Sequence, residues 1–410
     1  MSFELTSRQR ELRSHARTLA RSVLRDARDA ERLPTAEERF RATRPAYEQL
    51  VAAGCLRACI PTAAGGDNEG LIDTAVLVEE LFAENPSVAL TLLATVLGVQ
   101  PVVTGGTAEQ QKRLLAPFLS TTGAPLAGFC STEPGGSANP AAPPPGEGVR
   151  TRAENVGGQW VINGRKKWVS SATGWQGDGA DLLCVVCRTD PEAPPGGGIS
   201  VIAVEQPAVT LDRIIETPGF RAHLLPDFTF SDVPAPGENL LGDAGGGLKL
   251  LGASFLGPTA LVGMMGVALM RAAFAHAWEF ARAERRGGVV PIIEHQAVGY
   301  ALADAKAGIE ASRALSLRAV SAVDAGHPAA GELASHAKLF GSETAVRVIT
   351  DLMRVVGVDS YDVLDPLPGL LQDALALPLF AGGNVGVRRR AVHALLQSPT
   401  YDPLAASEGI

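Results

Sequence analysis

The chain has 410 residues, of which 46% are apolar and 20% charged, and its mean hydropathy is +0.12. This composition excludes a disordered protein and predicts a globular one of about two to three domains. The 36 basic and 44 acidic residues give a net charge of −8. That charge excludes sequence-independent binding to nucleic acid or to an anionic membrane, because both need an excess of basic side chains.

The first zone, from Leu5 to about Ser120, has apolar residues at helical spacing. Thr6 and Gln9 are spaced as a capping box at the start of this pattern. We therefore predict an N-terminal helical domain over residues 1–123.

The middle zone changes its apolar period from 3.6 towards 2, the repeat of β-strands. Asn163-Gly164 separates two strand-like runs, residues 159–162 and 167–169, and predicts a hairpin turn between them. Further strands are predicted at residues 182–187, 199–204 and 227–230. Residues 138–148 are rich in proline and glycine and predict an exposed loop. The zone predicts a small β-domain over residues 124–242.

The last zone returns to alanine- and leucine-rich helical patterns, with helices predicted at residues 271–283, 295–322 and 332–356. Residues 325–328 separate two of these helices. Residues 243–410 are therefore predicted to form a second helix bundle, which makes the fold mainly α with a central β-domain.

Cysteine usage and apolar runs predict a soluble cytoplasmic protein. The five cysteines are odd in number and thinly spread, which is not typical of a disulfide framework. Cys184 and Cys187 lie in a strand-like run where residues three apart face opposite sides, so we expect no metal or redox site there. The N-terminus carries charges where a secretory signal is apolar, and the run 256–270 is too short to span a membrane.

Two segments of the middle zone carry a family resemblance. Residues 129–137 (FCSTEPGGS) resemble the T-E-P-G-x-G-S segment of the acyl-CoA dehydrogenase superfamily. Residues 160–164 (WVING), followed by 167–170 (KWVS), resemble that family's second flavin segment. The order of the three zones also matches the family's N-terminal helix bundle, β-barrel-like middle domain and C-terminal four-helix bundle. Within the superfamily, runs such as 382–390 (GGNVGVRRR) are most similar to the nitroalkane oxidase branch.

The resemblance implies a bound FAD and assigns residues to it. Phe129, Ser131 and Thr132 are implied to lie along the flavin edge. Trp168 is implied to pack on the ring, and the Ser170 hydroxyl to face the ring nitrogen N5. Such donors suit a ring that accumulates negative charge when it is reduced. The other implied cofactor positions are Gly136, Ser137, Arg285, Arg286, Gln296, Gly357, Gly382, Gly383 and Asn384.

Arg285 and Arg286 stand where the family places an arginine on the FAD of a neighbouring subunit, with Gln296 near the adenine half. The resemblance therefore implies a homo-oligomer, a dimer or a tetramer, that acts on a small-molecule substrate. No G-x-G-x-x-G follows a predicted strand, so a Rossmann NAD site is not predicted. The seven histidines are scattered without ligand spacing and are expected in surface or core roles, so no metal is predicted.

The sequence departs from the family at the position of the catalytic carboxylate. In the acyl-CoA dehydrogenases and in the nitroalkane oxidases, that acid stands immediately before the glycine corresponding to Gly382. In this chain the residue there is Ala381. Residues 255–259 supply no replacement acid, and Pro258 takes what looks like the position of the oxidase's active-site serine. Asp362 and Asp365 are interpreted as surface or capping residues. Ser170 and Arg388 remain as catalytic candidates.

These observations favour a FAD-dependent oxidoreductase that needs no carboxylate of its own to remove a proton from carbon. Hydride removal from an electron-rich C–N centre and oxygen transfer, as in monooxygenases of this fold, both meet that condition. One alternative is an acyl-thioester dehydrogenase, acting on acyl-CoA or acyl-carrier protein, with a relocated base. The other is a flavin-binding scaffold without catalysis.

Overall fold

The computed structural model describes residues 4–142 and 145–407. Its N-terminal helices are α1 Ser7–Leu19, α2 Ala36–Ala42, α3 Arg44–Ala52, α4 Leu71–Glu84, α5 Pro86–Gly105, α6 Ala108–Leu114 and α7 Ala116–Leu119. The predicted capping box is confirmed, since Gln9 N donates to Thr6 Oγ1 at 3.2 Å and Thr6 N donates to Gln9 Oε1 at 3.1 Å. The first zone is helical, as its periodicity predicts.

Two buried carboxylates on α4 join these helices to the last zone. Glu80 accepts hydrogen bonds from Arg13 Nε at 2.8 Å and Arg17 Nε at 2.9 Å, both on α1. Glu79 accepts one from Arg271, in the last zone, at 2.7 Å. Burial alone would raise the pKa of Glu80, but the surrounding arginines hold it at about 2. These ion pairs therefore stabilise the junction above the pH range where carboxyls normally titrate.

The middle zone is a mixed sheet. Its strands are β1 Ala127–Cys130, β2 Arg152–Val156, β3 Gln159–Lys167, β4 Leu182–Arg188, β5 Ile199–Glu205, β6 Thr210–Ile214, β7 Pro226–Pro236 and β8 Leu240–Leu241. The strand order is β6-β7-β3-β2-β4-β5-β8, and β1 pairs with β4 in parallel. The strands predicted at 182–187, 199–204 and 227–230 are confirmed within β4, β5 and β7.

The hairpin predicted at Asn163-Gly164 is wrong. β3 runs through both residues, and its register against β7 shifts between Ile162 and Gly164, so a bulge takes the place of a turn. A Cβ on Gly164 would lie 2.6 Å from the backbone of Thr151, and this close approach explains the glycine. The turn instead falls at Gly157-Gly158, both at positive φ, which joins β2 to β3.

The last zone contains α8 Gly247–Ala283, α9 Gln296–Asp324, α10 Ala330–Val356, α11 Pro366–Ala376 and α12 Arg390–Leu396. The predicted helices are confirmed, but the one expected at 271–283 begins at Gly247 and continues through Pro258. α8 crosses α10 where Gly263 meets Gly341. A Cβ on either glycine would lie 2.7 Å from backbone atoms of the facing helix. The glycines therefore permit close packing of the bundle.

Two helices, α5 and α8, are long and apolar enough to cross a membrane by length and composition. In the most apolar stretch of each, 61% and 72% of the residues are buried within the protein. Both helices contribute to one continuous apolar core that also includes the sheet. Their hydrophobicity is that of core helices.

Candidate active site

The two segments of the middle zone that carry the resemblance lie side by side. Phe129 is near the end of β1, and Thr132 lies in the loop that follows. The carbonyl oxygen of Thr132 accepts a hydrogen bond from Lys167 N at 3.0 Å. The hydroxyls of Ser131 and Thr132 are half-buried and make no hydrogen bond to another residue in the described part of the chain. They are therefore available as donors to a ligand.

A buried ion pair fixes this loop. Glu133 is 5% exposed and accepts hydrogen bonds from Lys166 Nζ at 2.8 Å and from Thr151 N and Oγ1 at 2.9 and 2.7 Å. Burial alone would raise the pKa of Glu133, but Lys166 and the Thr151 hydrogen bonds hold it below its usual range. Glu133 belongs to the motif at residues 129–137. Through Lys166 it anchors that motif to β3.

Trp168 is the next residue after Lys167, whose N–H bonds the Thr132 carbonyl oxygen. It follows β3 directly, has a φ of 63°, and is 47% exposed. Its backbone N–H is held by Pro226 O at 3.2 Å. A left-handed backbone at a bulky residue is uncommon and strained, and here it turns a large aromatic side chain to the surface.

Ser170 belongs to a chain of buried hydrogen bonds. Its Oγ lies 2.9 Å from His223 Nε2, and His223 Nδ1 lies 2.9 Å from Thr91 Oγ1 on α5. Burial lowers the pKa of His223 to about 3, so the imidazole is neutral at physiological pH. Sequence reasoning gave His223 only a surface or core role. No local motif signals its contact with Ser170, because the two residues are 53 positions apart.

These residues fit an isoalloxazine ring. The free hydroxyls of Ser131 and Thr132 can bond its polar edge, and the exposed face of Trp168 can cover its apolar surface. Phe255 of α8 stacks on Phe129 with ring centroids 5.4 Å apart, so the last zone closes over this edge. Gly136 and Ser137 are exposed in the loop beyond Glu133.

The base position has an unusual backbone and an unpaired arginine. Ala381 has a φ of 50°, and its carbonyl oxygen accepts hydrogen bonds from Arg388 NH2 at 2.6 Å and Nε at 3.2 Å. Burial lowers the pKa of Arg388 to about 10. Among the described residues no carboxylate lies within 4.0 Å of this guanidinium. Arg388 also lines a cavity of about 550 Å³ together with Leu256, Thr259 and Glu332.

The glycines at 382 and 383 are positioned by their neighbour Asn384. The Asn384 carboxamide accepts a hydrogen bond from Lys338 Nζ at 2.7 Å and donates to Ser342 Oγ at 3.0 Å, both on α10. Burial lowers the pKa of Lys338 to about 7. Asn384 therefore uses its side chain to hold the loop against the bundle, whereas the resemblance assigns it to the cofactor.

The remaining cofactor candidates lie at the other end of the bundle. Arg286 pairs with Asp359 Oδ2 at 2.9 Å and donates to Val356 O beside Gly357. Arg285 and Gln296 are exposed in the same region. At 1.5 Å per residue, α8 spans roughly 42 Å from Phe255 to its end at Ala283. The two groups of candidates therefore lie towards opposite ends of α8 within one chain.

Three aspartates that precede Ala381 in the sequence have other partners. Asp365 caps the N-terminus of α11 and bonds His276 Nε2 at 2.8 Å, and Asp362 is exposed and bonds Leu364 N, so both have the predicted surface or capping roles. Asp373 was not singled out by its sequence. It is buried, accepts a hydrogen bond from Phe220 N, and burial raises its pKa to about 8.

Family comparison agrees with this geometry. Residues 6–122, 128–233 and 245–396 match the N-terminal, middle and C-terminal domains of acyl-CoA dehydrogenase. The chain belongs to the acyl-CoA dehydrogenase family.

The nitroalkane oxidase of Podospora anserina is 40% identical, with 100% of this chain and 99% of that protein covered. Its solved structure superposes with a TM-score of 0.95 at 39% identity, covering 100% of both chains. The nitroalkane oxidase of Fusarium oxysporum is 37% identical over 100% of this chain and 98% of its own. A further nitroalkane oxidase structure, with a TM-score of 0.94, 36% identity and 100% of both chains covered, addresses the roles of an arginine and an aspartate in the reaction. The present chain is accordingly a FAD-dependent oxidoreductase acting on a small molecule.

Proposed function

We propose that this oxidoreductase oxidises a small molecule without a protein carboxylate at the family's base position. FAD, when bound, accepts the electrons of the reaction. The chain's own residues bind and orient the substrate, hold the cofactor edge through hydroxyl donors, and exclude water. The substrate must therefore lose its electrons without proton removal by residue 381, as in hydride loss from an electron-rich C–N centre or in oxygen transfer.

The geometry of Ala381 and Arg388 carries this proposal. In the nitroalkane oxidase whose arginine and aspartate were analysed, the aspartate precedes the arginine by seven positions. Ala381 precedes Arg388 by the same spacing. The left-handed backbone at Ala381 supports the correspondence, because aspartate adopts that conformation more readily than alanine. A methyl group cannot accept a proton.

The unpaired charge of Arg388 favours a substrate that is already an anion. The guanidinium is largely buried, bonds only the Ala381 carbonyl oxygen within the described residues, and faces the cavity. A buried cation without a counter-ion is costly, so an anionic ligand gains binding energy there. A pre-formed nitronate, the conjugate base of a nitroalkane, has this charge and needs no catalytic base.

One observation favours the alternative of a relocated base. Glu332 lines the same cavity as Arg388, and its Oε1 accepts a hydrogen bond from Tyr401 OH at 2.9 Å. A carboxylate in this cavity could remove a proton from a neutral nitroalkane or an acyl thioester. If Glu332 is that base, Glu332→Gln should lower activity on the neutral substrate by about 10²–10⁴-fold and spare the anion.

We further propose that the protein works as a dimer or a tetramer. The distance between Arg286 and the ring-binding residues along α8 supports this, because a second subunit can complete each FAD site. The same end of the bundle exposes apolar side chains, with Val358 81%, Tyr361 85% and Val363 90% exposed. Such a patch is typical of a subunit interface.

The deciding experiment follows flavin absorbance without oxygen while a panel of nitroalkanes, their nitronates, amines and acyl-CoAs is added. Anions or amines should bleach the flavin, and neutral nitroalkanes and acyl-CoAs should do so very slowly. Arg388→Ala should slow the anions, while Arg389→Ala, which removes an exposed arginine paired with Glu343, serves as a control. Rapid bleaching by acyl-CoA supports the thioester alternative, and bleaching by no compound supports the scaffold.

A further inference from the structure

The hydrogen-bond chain that ends at Ser170 begins on α5 and passes through the imidazole of His223. Thr91 Oγ1 lies 3.1 Å from Ser87 O, one turn earlier on α5. The Thr91 hydroxyl has one hydrogen, which can go either to Ser87 O or to His223 Nδ1 at 2.9 Å. When it goes to Ser87 O, Nδ1 is the donor of the contact with Thr91.

Only one proton is available on the imidazole. Burial keeps His223 neutral over the whole physiological range, so a proton on Nδ1 leaves Nε2 as an acceptor. The only described hydrogen-bond partner of Nε2 is Ser170 Oγ at 2.9 Å. With this tautomer the hydrogen of the Ser170 hydroxyl points at His223 Nε2. The lone pairs of the serine oxygen are then free to accept a hydrogen bond from another group.

We propose that His223 is a positioning residue that holds Ser170 as a hydrogen-bond acceptor towards the bound flavin. The proposal rests on the proposed function and on the placement of the Ser170 hydroxyl opposite N5, which the family resemblance implies. Oxidised flavin has an unprotonated N5, and reduced flavin has an N–H there. A Ser170 oxygen whose hydrogen is held by His223 accepts from the reduced form and offers no donor to the oxidised form. The hydrogen-bond chain from Thr91 through His223 to Ser170 therefore favours the reduced form of the cofactor.

The surroundings hold the imidazole in this orientation. His223 N donates to Phe220 O at 2.9 Å, and Ala222 N donates to Ser87 Oγ at 3.3 Å, which ties the segment to α5. A Cβ on Gly219 would lie 2.4 Å from Gln372 O, so the segment also packs closely against α11. The ring is thus fixed by its own backbone as well as by its two hydrogen bonds.

The first test reads the tautomer directly in the protein without FAD. ¹⁵N-histidine NMR distinguishes a protonated Nδ1 from a protonated Nε2, and the signals of His223 are assigned by their absence in His223→Gln. We expect a protonated Nδ1. A protonated Nε2, or protonation of both nitrogens, overturns the proposal.

The second test measures the reduction potential of the bound FAD. In Thr91→Val the Nδ1 proton loses its acceptor, and since buried N–H groups without a partner are the costlier defect, the proton should move to Nε2. Ser170 is then free to donate to oxidised flavin. We expect at least a tenfold shift of the redox equilibrium towards the oxidised form, which is about 30 mV for a two-electron couple.

Thr95→Val is the matched control. Thr95 lies one turn further along α5, is equally buried, and bonds Thr91 O and Tyr47 without touching His223. Its substitution should leave the potential unchanged. In a Ser170→Ala background Thr91→Val should also have no effect, because the serine transmits it. Equal shifts in both valine variants, or a shift that persists without Ser170, overturn the positioning role. If Ser170→Ala itself leaves the potential unchanged while Nδ1 is protonated, the placement of Ser170 at the flavin is wrong.

Discussion

The substitution Ala381→Asp tests the proposed function most directly, and the structure indicates that the protein will tolerate it. Ala381 lies in the left-handed region, which costs an L-residue about 1–2 kcal/mol and which aspartate visits more readily than alanine. The loop is held independently of this side chain, by the carboxamide of Asn384 on α10. The variant should therefore fold with the same backbone.

The new carboxylate should also pair with Arg388. Burial lowers the pKa of that guanidinium from the ordinary arginine value to about 10. At 1.36 kcal/mol per pKa unit, burying the charge without a counter-ion costs about 3 kcal/mol. A carboxylate beside it offsets part of this cost, so urea denaturation should show a variant that is more stable by up to about 3 kcal/mol. Ala381→Asn has the same backbone preference and no charge, and it should gain only the smaller backbone contribution.

The kinetic assay is anaerobic stopped-flow reduction of the flavin by a nitroalkane and by its nitronate. A positioned base contributes about 10²–10⁴-fold, so Ala381→Asp should raise the rate on the neutral nitroalkane by a factor in that range. Oxidation of the nitronate should fall, because the carboxylate neutralises Arg388. Ala381→Asn should change neither the rate on the neutral nitroalkane nor the rate on the nitronate.

The reasoning is refuted if the wild type oxidises neutral nitroalkane or acyl-CoA as fast as the anion. The base would then lie elsewhere, and loss of activity in Glu332→Gln, Asp365→Asn or Asp362→Asn would locate it. The capping bond of Asp365 and the exposure of Asp362 argue against a base at either aspartate.

Three further substitutions test the supports of the site. Glu133→Gln leaves Lys166 buried without its counter-charge and should cost about 3–5 kcal/mol in urea denaturation; because the pKa of Glu133 is lowered in the folded protein, the difference from wild type should shrink as the pH falls through its titration. Asp373 has a pKa raised to about 8 by burial, so wild-type stability should fall as the pH rises from about 4 towards 8, and Asp373→Asn should flatten that part of the thermal-unfolding profile. Arg286→Ala should release FAD on dilution, seen as a lower ratio of flavin to protein absorbance; retention of FAD equal to that of the exposed control Arg354→Ala contradicts a cofactor role.

The sequence predicted those parts of the fold that depend on local periodicity. β4 and β5 are buried on both faces and appear as short β-branched runs, and α9 and α10 are long helices with a glycine-containing break between them. α8 was found only in part, because its first half contains Pro258 and several glycines. Tertiary packing against α10 outweighs their low helix propensity.

The false hairpin shows where local signals fail. Asn163-Gly164 satisfies the turn pattern, but its glycine is required by contact with Thr151, which comes from a different segment. The turn is formed instead by Gly157-Gly158, where both residues adopt positive φ. A dipeptide pattern cannot distinguish a glycine needed for a turn from one needed for a close approach.

The site was predictable only where a motif is continuous in sequence. Residues 129–137 and 167–170 could be read from their order, and the structure brings them together. His223, Asp373 and Lys338 carry no motif, and their environments arise from elements far apart in the chain. Their roles depend on burial, which a sequence pattern does not measure.

Around Ala381, the contacts that hold the loop are distinct from the side chain that could accept a proton. The carbonyl oxygen of residue 381 bonds Arg388, and Asn384 fixes the following glycines, so backbone and neighbouring side chains alone set the shape of the loop. The loop is therefore held independently of the side chain at 381. That side chain sets the backbone strain at this position and decides whether a carboxylate pairs with Arg388. On the proposed function, this one change of side chain converts a site for neutral, acidic substrates into one that prefers anions. The residues proposed to contact the flavin, Trp168 and Ser170, need not change with it.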